Sequence, residues 1–250
     1  MLQTVRDLHD HGIILCDLTD GNVVWDLAPL DHYTPEQRYQ LMGRPRKSPL
    51  NHPNWKFGEL VEPMTIPLDL VRTDRVFICD FGLSIRQGQK VTFNAAGAAS
   101  ACAPERFHGY PPSPASDMWS FGCLLYHLHS GRLLSPFGHG GRRSTLDAMV
   151  RTIQRAMPPE WKARFEVGEY KDKWYDQKQV IIDDRWTLGG TLQAGGVDVG
   201  PRELGLLVDV LSKLFCYIPK DRITAAQLLE DPSFKAMKEA AALKDRRTSK

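Results

Sequence analysis

Three side chains that could handle a phosphate group lie in two short segments of the chain. Asp17 and Asn22 belong to Cys16-Asp17-Leu18-Thr19-Asp20-Gly21-Asn22, and Asp80 opens Asp80-Phe81-Gly82 after an apolar run. Phosphoryl transfer from ATP needs one carboxylate to orient the attacking hydroxyl. It also needs a second carboxylate and an amide oxygen to hold Mg²⁺ against the phosphates. The residue types and their order therefore predict phosphoryl-transfer chemistry.

Local patterns predict the elements that position these side chains. Apolar residues at helical spacing predict a helix over residues 1–12, with Gly12 as its end. Ile13-Ile14-Leu15 then reads as a short buried strand or turn leading to Asp17. The β-prone triplets Val23-Val24-Trp25 and Val76-Phe77-Ile78 are expected to pair as a small hairpin that flanks the loop.

A proline-rich insertion separates the two triplets. Residues 28–74 contain seven prolines, which remove backbone donors and interrupt regular elements. One short helix is predicted from Thr34 to Leu41, with Thr34 as its cap and Pro35 at its first position. For the remainder, an ordered insertion and an extended surface excursion both stay open.

The second half of the chain is predicted to be mainly helical. Met118 to His129 is apolar nearly all round, which indicates a central buried helix, and Ser116-Asp117 is expected to open it. Further helices are predicted at 144–156, 202–215 and 224–230. Residues 83–104 lack a period and are expected to form a mobile loop, and the glycine-rich stretch 184–200 is also expected to be loop.

Composition narrows the class of protein. The 250 residues carry a net charge of +2, so no global field favours nucleic acid or membrane. No apolar run approaches the roughly 18 residues of a membrane span, and no secretory signal pattern occurs at the N-terminus. The five cysteines are widely spaced, which is typical of a reducing compartment. A cytoplasmic or nuclear location is therefore predicted.

Five landmarks in order resemble the eukaryotic protein kinases. They are Asp17 with Asn22, Asp80-Phe81-Gly82, Ala103-Pro104-Glu105, Asp117-Met118-Trp119-Ser120-Phe121-Gly122 and Arg222. The resemblance implies an α+β, protein-kinase-like fold: a mainly helical C-terminal lobe with a small β-hairpin and without the N-terminal lobe. Residues 1–234 would form that lobe, with the insertion at 28–74 and an activation segment at 80–105. Residues 235–250 would form a basic C-terminal tail.

The resemblance also implies roles for individual residues. Asp17 corresponds to the catalytic aspartate, and Asn22 and Asp80 correspond to the ligands of Mg²⁺ and, through it, of ATP. Glu105 and Arg222 correspond to a buried ion pair that anchors the substrate-binding segment. Asp117 corresponds to the helix-start acid that accepts hydrogen bonds from the catalytic-loop backbone.

The chain departs from the family pattern at several positions. Leu15-Cys16 replaces the usual His-Arg before the catalytic aspartate, and Thr19 replaces a common lysine. The 250 residues contain no G-x-G-x-x-G, and their first lysine is Lys47, after the catalytic loop. Because electrostatic stabilisation of the phosphates supplies most of the catalysis, we expect a truncated chain with little activity on its own.

Two functions from different classes follow from these observations. The first is a protein serine/threonine kinase that uses ATP and Mg²⁺ and acts on protein substrates. The second is a pseudokinase, a kinase-like protein-interaction module. The insertion and Met157-Pro158-Pro159-Glu160-Trp161 resemble segments of fungal kinases similar to the SR-protein kinases, which implies Arg/Ser-rich substrates.

Two smaller features have competing interpretations. Cys123 and His127 lie four residues apart on the central helix and could present two metal ligands, but a buried helix with a satisfied histidine is the favoured interpretation. The basic C-terminal end could be a nuclear address or contact an acidic partner, and a solvated frayed end is favoured.

Overall fold

The computed structural model describes residues 1–50, 58–61, 72–91, 98–134, 141–164, 183–195 and 200–248. The chain divides into two compact units, one of Met1–Asn22 with Ile78–Lys250 and one of Val23–Phe77. The mixture of helices and short strands confirms the α+β class.

Nine helices occur among the described residues. They are α1 (Leu2–Asp10), α2 (Pro35–Met42), α3 (Pro104–Phe107), α4 (Pro114–Ser130), α5 (Gly141–Ile153), α6 (Leu188–Ala194), α7 (Pro201–Leu214), α8 (Ala225–Glu230) and α9 (Pro232–Thr248). Short 3₁₀ turns lie at Asp20–Asn22, Pro159–Arg164, Asp184–Trp186 and Pro219–Asp221.

The described strands form three separate pairs. They are β1 (Ile13–Ile14), β2 (Val23–Leu27), β3 (Lys47–Leu50), β4 (Gly58–Val61), β5 (Arg72–Ile78) and β6 (Ile85–Arg86). β2 pairs with β5, which confirms the hairpin expected from the two β-prone triplets. β1 pairs antiparallel with β6, with Ile14 opposite Ile85. Ile14 and Ile85 are both buried, so this small pair holds the residues before Asp17 against the residues after Asp80.

The unit Val23–Phe77 contains the whole proline-rich insertion, residues 28–74. Helix α2 begins where the sequence predicts it, and Thr34 and Gln37 form a capping box around its first turn. Strands β3 and β4 pair antiparallel, with Ser48 opposite Leu60. Two parts of the insertion, residues 51–57 and 62–71, lie outside the described residues.

Helix α4 is the centre of the other unit. Trp119 is fully buried, and its ring meets the ring of Phe215 at 5.0 Å in an edge-on arrangement. The helix packs against α6 and α7. It begins at Pro114, earlier than predicted, because Ser113 caps it and Pro114 occupies its first position. Gly131, in the left-handed conformation, ends it.

The prediction of loop over residues 184–200 is wrong for its described part. Helix α6 occupies Leu188–Ala194, and the hydroxyl of Thr187 caps it by accepting from the Gly190 amide. A Cβ at Gly190 would lie 2.0 Å from the carbonyl oxygen of Asp184. Gly190 is therefore needed because two backbone segments approach each other closely there. The sequence alone does not reveal this, because glycine is also common in loops.

Residues 235–248 are not a frayed end in this structure. Helix α9 begins at Pro232 and continues to Thr248, and it packs against α7 and α8. Asp231 fixes its start by accepting hydrogen bonds from the amides of Ser233 and Phe234. Of residues 83–104, which the sequence predicts to be a mobile loop, residues 92–97 lie outside the described residues.

Candidate active site

The loop after β1 brings Asp17 and Asn22 together. The side-chain amide of Asn22 donates to the backbone carbonyl of Asp17 at 2.9 Å and to its carboxylate Oδ2 at 3.0 Å. The turn Asp20–Asn22 reverses the chain, so that the fifth residue after Asp17 reaches back to it. Because Nδ2 faces Asp17, Oδ1 is the atom of Asn22 left to accept or to bind a cation.

Asp80 directly follows Cys79, which forms a hydrogen bond with this loop. The backbone amide of Cys79 donates to the carbonyl oxygen of Asn22 at 2.9 Å. Asp80 itself adopts a left-handed conformation, with φ of 58°, and is exposed. Its Oδ1 accepts from the amide of Gly82 at 3.1 Å, and a Cβ on Gly82 would lie 3.0 Å from that oxygen. The contacts therefore connect the segments of Asp17, Asn22 and Asp80, and the tight turn presents the Asp80 carboxylate.

Asp117, in the first turn of α4, holds the backbone that leads into Asp17. Its two carboxylate oxygens accept from the amides of Leu15 at 2.8 Å and Cys16 at 2.9 Å. Asp117 is buried, and Cys16 has a left-handed φ of 65°. A buried carboxylate that accepts from two successive amides fixes a conformation that a non-glycine residue rarely adopts.

His9 also contacts Asp117, and sequence reasoning missed it. Its Nε2 lies 2.9 Å from Oδ2 of Asp117 across a separation of 108 residues. A signal was available, because His9 follows the buried residues Leu2 and Val5 at helical spacing on α1. A histidine on the buried stripe of a helix needs a polar partner, and Asp117 is that partner.

The activation segment contacts Asp17 as well. The backbone amide of Ala98 donates to Oδ1 of Asp17 at 3.0 Å. Both carboxylate oxygens of Asp17 therefore accept a hydrogen bond, one from Ala98 and one from Asn22. This places the chain that leads to Ala103-Pro104-Glu105 beside the candidate catalytic carboxylate.

Glu105 and Arg222 form a bidentate ion pair across α3 and the turn before α8. Both of its nitrogen–oxygen distances are 2.9 Å, and the side chains are 1% and 0% exposed. Arg222 also donates to the carbonyls of Ala115, Cys216 and Tyr217, and its guanidinium lies 5.0 Å from the centre of the Trp119 ring. The hydroxyl of Ser116 donates to Glu105 at 3.1 Å, so both charges are hydrogen-bonded in the interior.

Cys16 brings no positive charge to the position before Asp17. Burial, the largest cause, and the nearby Asp117 raise the pKa of its thiol to about 12, against an opposing effect of Arg106. The thiol is therefore protonated and neutral at neutral pH.

The donor set suits Mg²⁺ better than a softer metal. Oδ1 of Asn22 and the carboxylate of Asp80 are hard oxygen ligands of the kind Mg²⁺ takes together with substrate phosphates. Among the residues that the structure describes, no group of three or more His, Cys, Asp or Glu is arranged to hold a metal ion. Cys123 is buried within α4, while Nε2 of His127 lies 3.6 Å from Asp20, so the two do not share a described metal group.

Comparisons with known proteins identify the family of this chain. The model of the protein kinase domain family matches residues 66–234, more than half of the chain. That match includes Asp80, Glu105, Asp117 and Arg222, whereas Asp17 and Asn22 precede it.

Two kinases are similar to this chain over different lengths. The dual specificity protein kinase lkh1 of Schizosaccharomyces pombe is 30% identical over 53% of this chain and 20% of its own length. The serine/threonine-protein kinase AFC1 of Arabidopsis thaliana is 25% identical over 96% of this chain and 48% of its own. The chain thus spans less than half the length of either relative.

The fold is also found among solved structures. The crystal structure of the PF14_0431 kinase domain superposes on 93% of this chain and 62% of its own, with a TM-score of 0.58 and 16% identity. At that identity the likeness concerns the fold alone. In the part of the chain that the structure describes, no helix is both long and apolar enough to cross a lipid bilayer.

Proposed function

The chain belongs to the protein kinase domain family, and on this premise we propose that it serves phosphoryl transfer from ATP to serine or threonine of protein substrates. We assign its residues to the C-terminal lobe of that fold. The observation that carries the proposal is the pair of contacts that joins Asp17 to Asn22 and Asn22 to the residue before Asp80.

In the proposed reaction, Asp17 orients the hydroxyl of the substrate and accepts its proton. Asn22 holds the Asp17 carboxylate through Nδ2, and its Oδ1 together with Asp80 would bind Mg²⁺. The metal, when held by Asn22 and Asp80, would supply positive charge that offsets the negative charge developing on the phosphates. Asp117 keeps the backbone of Leu15 and Cys16 in place, so that Asp17 projects from a fixed turn.

The Ala98 contact and the Glu105–Arg222 ion pair would position the protein substrate. Ala98 ties the activation segment to the Asp17 carboxylate, and Arg222 ties Glu105 to the helical core. A substrate segment that lies along residues 98–105 would present its hydroxyl near Asp17. Proximity of this kind supplies a large part of the rate enhancement in group transfer.

We propose that the 250 residues alone have little activity. They contain no glycine-rich phosphate loop and no lysine before Lys47, and Cys16 and Thr19 replace the basic residues of the family pattern. These groups would otherwise stabilise the charge on the phosphates. Weak binding of ATP and slow transfer are the expected result.

A binding experiment with Mg·ATP tests the site directly. We expect Asp80→Ala to abolish the Mg²⁺-dependent part of ATP binding, measured by isothermal titration with and without Mg²⁺. Asp17→Asn should keep this binding and remove any phosphate transfer to a serine-containing protein. Asp10→Ala, at an exposed acid of α1, is the matched control and should change neither. Binding of Mg·ATP that is unchanged in Asp80→Ala would refute the assigned site.

A pseudokinase is the second candidate, and the sequence at Leu15-Cys16 and Thr19 favours it. The neutral thiol of Cys16 gives the loop no cation with which to hold a phosphorylated activation segment. If this alternative holds, the double variant Asp17→Asn/Asp80→Ala would retain full function in cells that depend on the protein. Loss of that function would favour catalysis.

For the substrate class, we propose Arg/Ser-rich protein segments. The proposal rests on the resemblance of the insertion and of Met157–Trp161 to segments of fungal kinases similar to the SR-protein kinases. Trp161 is buried, and its ring lies 4.8 Å from His108 and 5.9 Å from Tyr110, just after the ion-paired Glu105. An Arg-Ser repeat peptide should therefore bind the chain more tightly than an Ala-Ser repeat in fluorescence anisotropy, and equal affinity would refute this class. A cytoplasmic or nuclear location stays a prediction.

A further inference from the structure

A cavity of about 640 Å³ lies away from the candidate active site. Its walls come from the end of α4 and the residues after it, from α5, from the turn Asp184–Trp186 and from α6. The volume falls within the range of about 300–1,000 Å³ that is typical of small-molecule sites. None of its lining residues is among Asp17, Asn22, Asp80, Glu105, Asp117 and Arg222.

Apolar and aromatic groups form much of the lining. Tyr126, Leu133, Leu134 and Ala148 contribute to the walls, and Trp186 adds an aromatic ring that is 47% exposed. Surfaces of this composition bind flat apolar groups, because burial of the ligand and of the walls removes apolar area from water.

Two hydroxyl residues, Tyr126 and Thr152, also line the cavity. Both residues are largely buried, and no hydrogen bond joins either hydroxyl to a described residue, but neither hydroxyl oxygen is a fully buried atom without a partner. Thr191, a third hydroxyl residue of the lining, donates to the carbonyl of Thr187 at 2.8 Å and is satisfied. Because Tyr126 and Thr152 line the cavity, their hydroxyls can donate to a ligand that carries acceptors.

The charges at the cavity favour an anion. Arg151 is paired with Asp147 at 3.0 Å, and its guanidinium lies 5.5 Å from the centre of the Trp186 ring. Arg132 is exposed, and no ion pair joins it to a described residue. One positive charge of the lining is therefore not balanced within the described part of the chain.

We propose that this cavity binds a small aromatic carboxylate. The ring system packs against Leu133, Leu134 and Trp186. The carboxylate accepts from the hydroxyls of Tyr126 and Thr152, and Arg132 attracts its charge. The site takes this ligand whether or not the chain transfers phosphate, so the proposal stands apart from the kinase function.

Isothermal titration of the whole 250-residue chain, without nucleotide, tests the proposal. The probe is 4-phenylbenzoate, and the neutral comparison is 4-phenylbenzyl alcohol, which has the same rings. We expect the carboxylate to bind at least tenfold more tightly than the alcohol. The double variant Tyr126→Phe/Thr152→Val should weaken carboxylate binding about tenfold, as expected for two lost hydrogen bonds. Arg132→Gln should weaken carboxylate binding and leave alcohol binding unchanged.

Thr191→Val is the matched control, because it removes a lining hydroxyl that already has a partner. It should leave the affinity for the carboxylate unchanged. Far-ultraviolet circular dichroism of each variant establishes that it is folded before titration. Equal affinity for the two probes, an unchanged affinity in the double variant, or no carboxylate binding at millimolar concentration would each overturn the proposal.

Discussion

Disruption of the buried pair between Glu105 and Arg222 is expected to destabilise the chain strongly and non-additively. In Glu105→Gln, the charged guanidinium of Arg222 stays buried without a carboxylate beside it. Its remaining partners are neutral backbone carbonyls, those of Ala115, Cys216 and Tyr217. In Arg222→Met, the Glu105 carboxylate keeps only the hydrogen bond from the Ser116 hydroxyl, and the three carbonyls lose the donor that Arg222 supplied. Removal of one partner of a buried ion pair costs about 3–5 kcal/mol of folding free energy. We therefore expect a loss of about 3 kcal/mol for Glu105→Gln and about 5 kcal/mol for Arg222→Met.

The double variant distinguishes a true pair from two independent effects. Both single changes break the same contact, so the free energy lost in Glu105→Gln/Arg222→Met should fall short of the sum by about 2 kcal/mol. The measurement is urea unfolding followed by tryptophan fluorescence and circular dichroism, with linear extrapolation to water. Total stabilities of domains are about 5–15 kcal/mol, so each of these losses is a large fraction of the total and lowers the urea midpoint strongly.

An exposed ion pair provides the control for this cycle. Lys235 and Glu230 lie 2.5 Å apart, but their side chains are 50% and 78% exposed. Glu230→Gln should therefore leave the unfolding midpoint unchanged. If the Glu105 and Arg222 variants add without coupling, or if Glu105→Gln matches the exposed control, the account of this pair is wrong.

Three further predictions concern His108, Gly190 and Asp117. Burial, opposed by the Pro104 carbonyl and by Glu105, lowers the pKa of His108 below its usual value, so the unfolded chain binds the proton more readily. The stability that the neutral His108 contributes is therefore complete above a pH of about 6.5 and is lost as the pH falls through the pKa of the folded state. Urea unfolding of His108→Asn as a function of pH should show this loss. Gly190→Ala places a Cβ against the Asp184 carbonyl and should lower the unfolding free energy by about 1–3 kcal/mol. Asp117→Ala leaves the Leu15 and Cys16 amides unpaired and should cost at least about 2 kcal/mol in the same assay.

Each of these predictions has its own control. His11→Asn, at an exposed histidine, is the control for the first prediction, and an acid dependence of stability that His108→Asn leaves unchanged would contradict that prediction. Gly205→Ala meets no atom within 4 Å and lies inside α7, so it should stabilise the chain. Equal effects at Gly190 and Gly205 would contradict the second. Asp117→Asn, which retains one acceptor oxygen, should be milder than Asp117→Ala, and the reverse order would contradict the third.

Local sequence signals predicted several of the helices well. The capping residues Thr34 and Thr224 mark the starts of α2 and α8, and the apolar run after Ser116 marks α4. In these places a side chain and the backbone amides it caps lie within three residues of each other. The information that decides the element is therefore contained in a short window of sequence.

Contacts between distant residues decided the features that sequence reasoning missed. Gly190 reads as a loop former, whereas its role depends on the carbonyl of Asp184 and on the packing of α6 against α4 and α7. His9 meets Asp117 across more than a hundred residues, and Ala98 meets Asp17 through a backbone amide that carries no sequence signature. The order of Asp17, Asn22 and Asp80 predicted the composition of the site, but only coordinates supply its hydrogen bonds.

Strands β2 and β5 lie at the two ends of the segment Val23–Phe77, and their pairing brings these ends together. A separate hydrogen bond, from the Cys79 amide to the Asn22 carbonyl, joins the residues on either side of the segment. For a flexible loop closed in this way, each doubling of length costs only about 0.6 kcal/mol of entropy. Residues between the two strands can therefore be added, removed or exchanged at low thermodynamic cost without changing the separation of Asn22 and Asp80. The β2–β5 stem therefore lets this segment change in sequence and length while Asn22 and Asp80 keep their spacing.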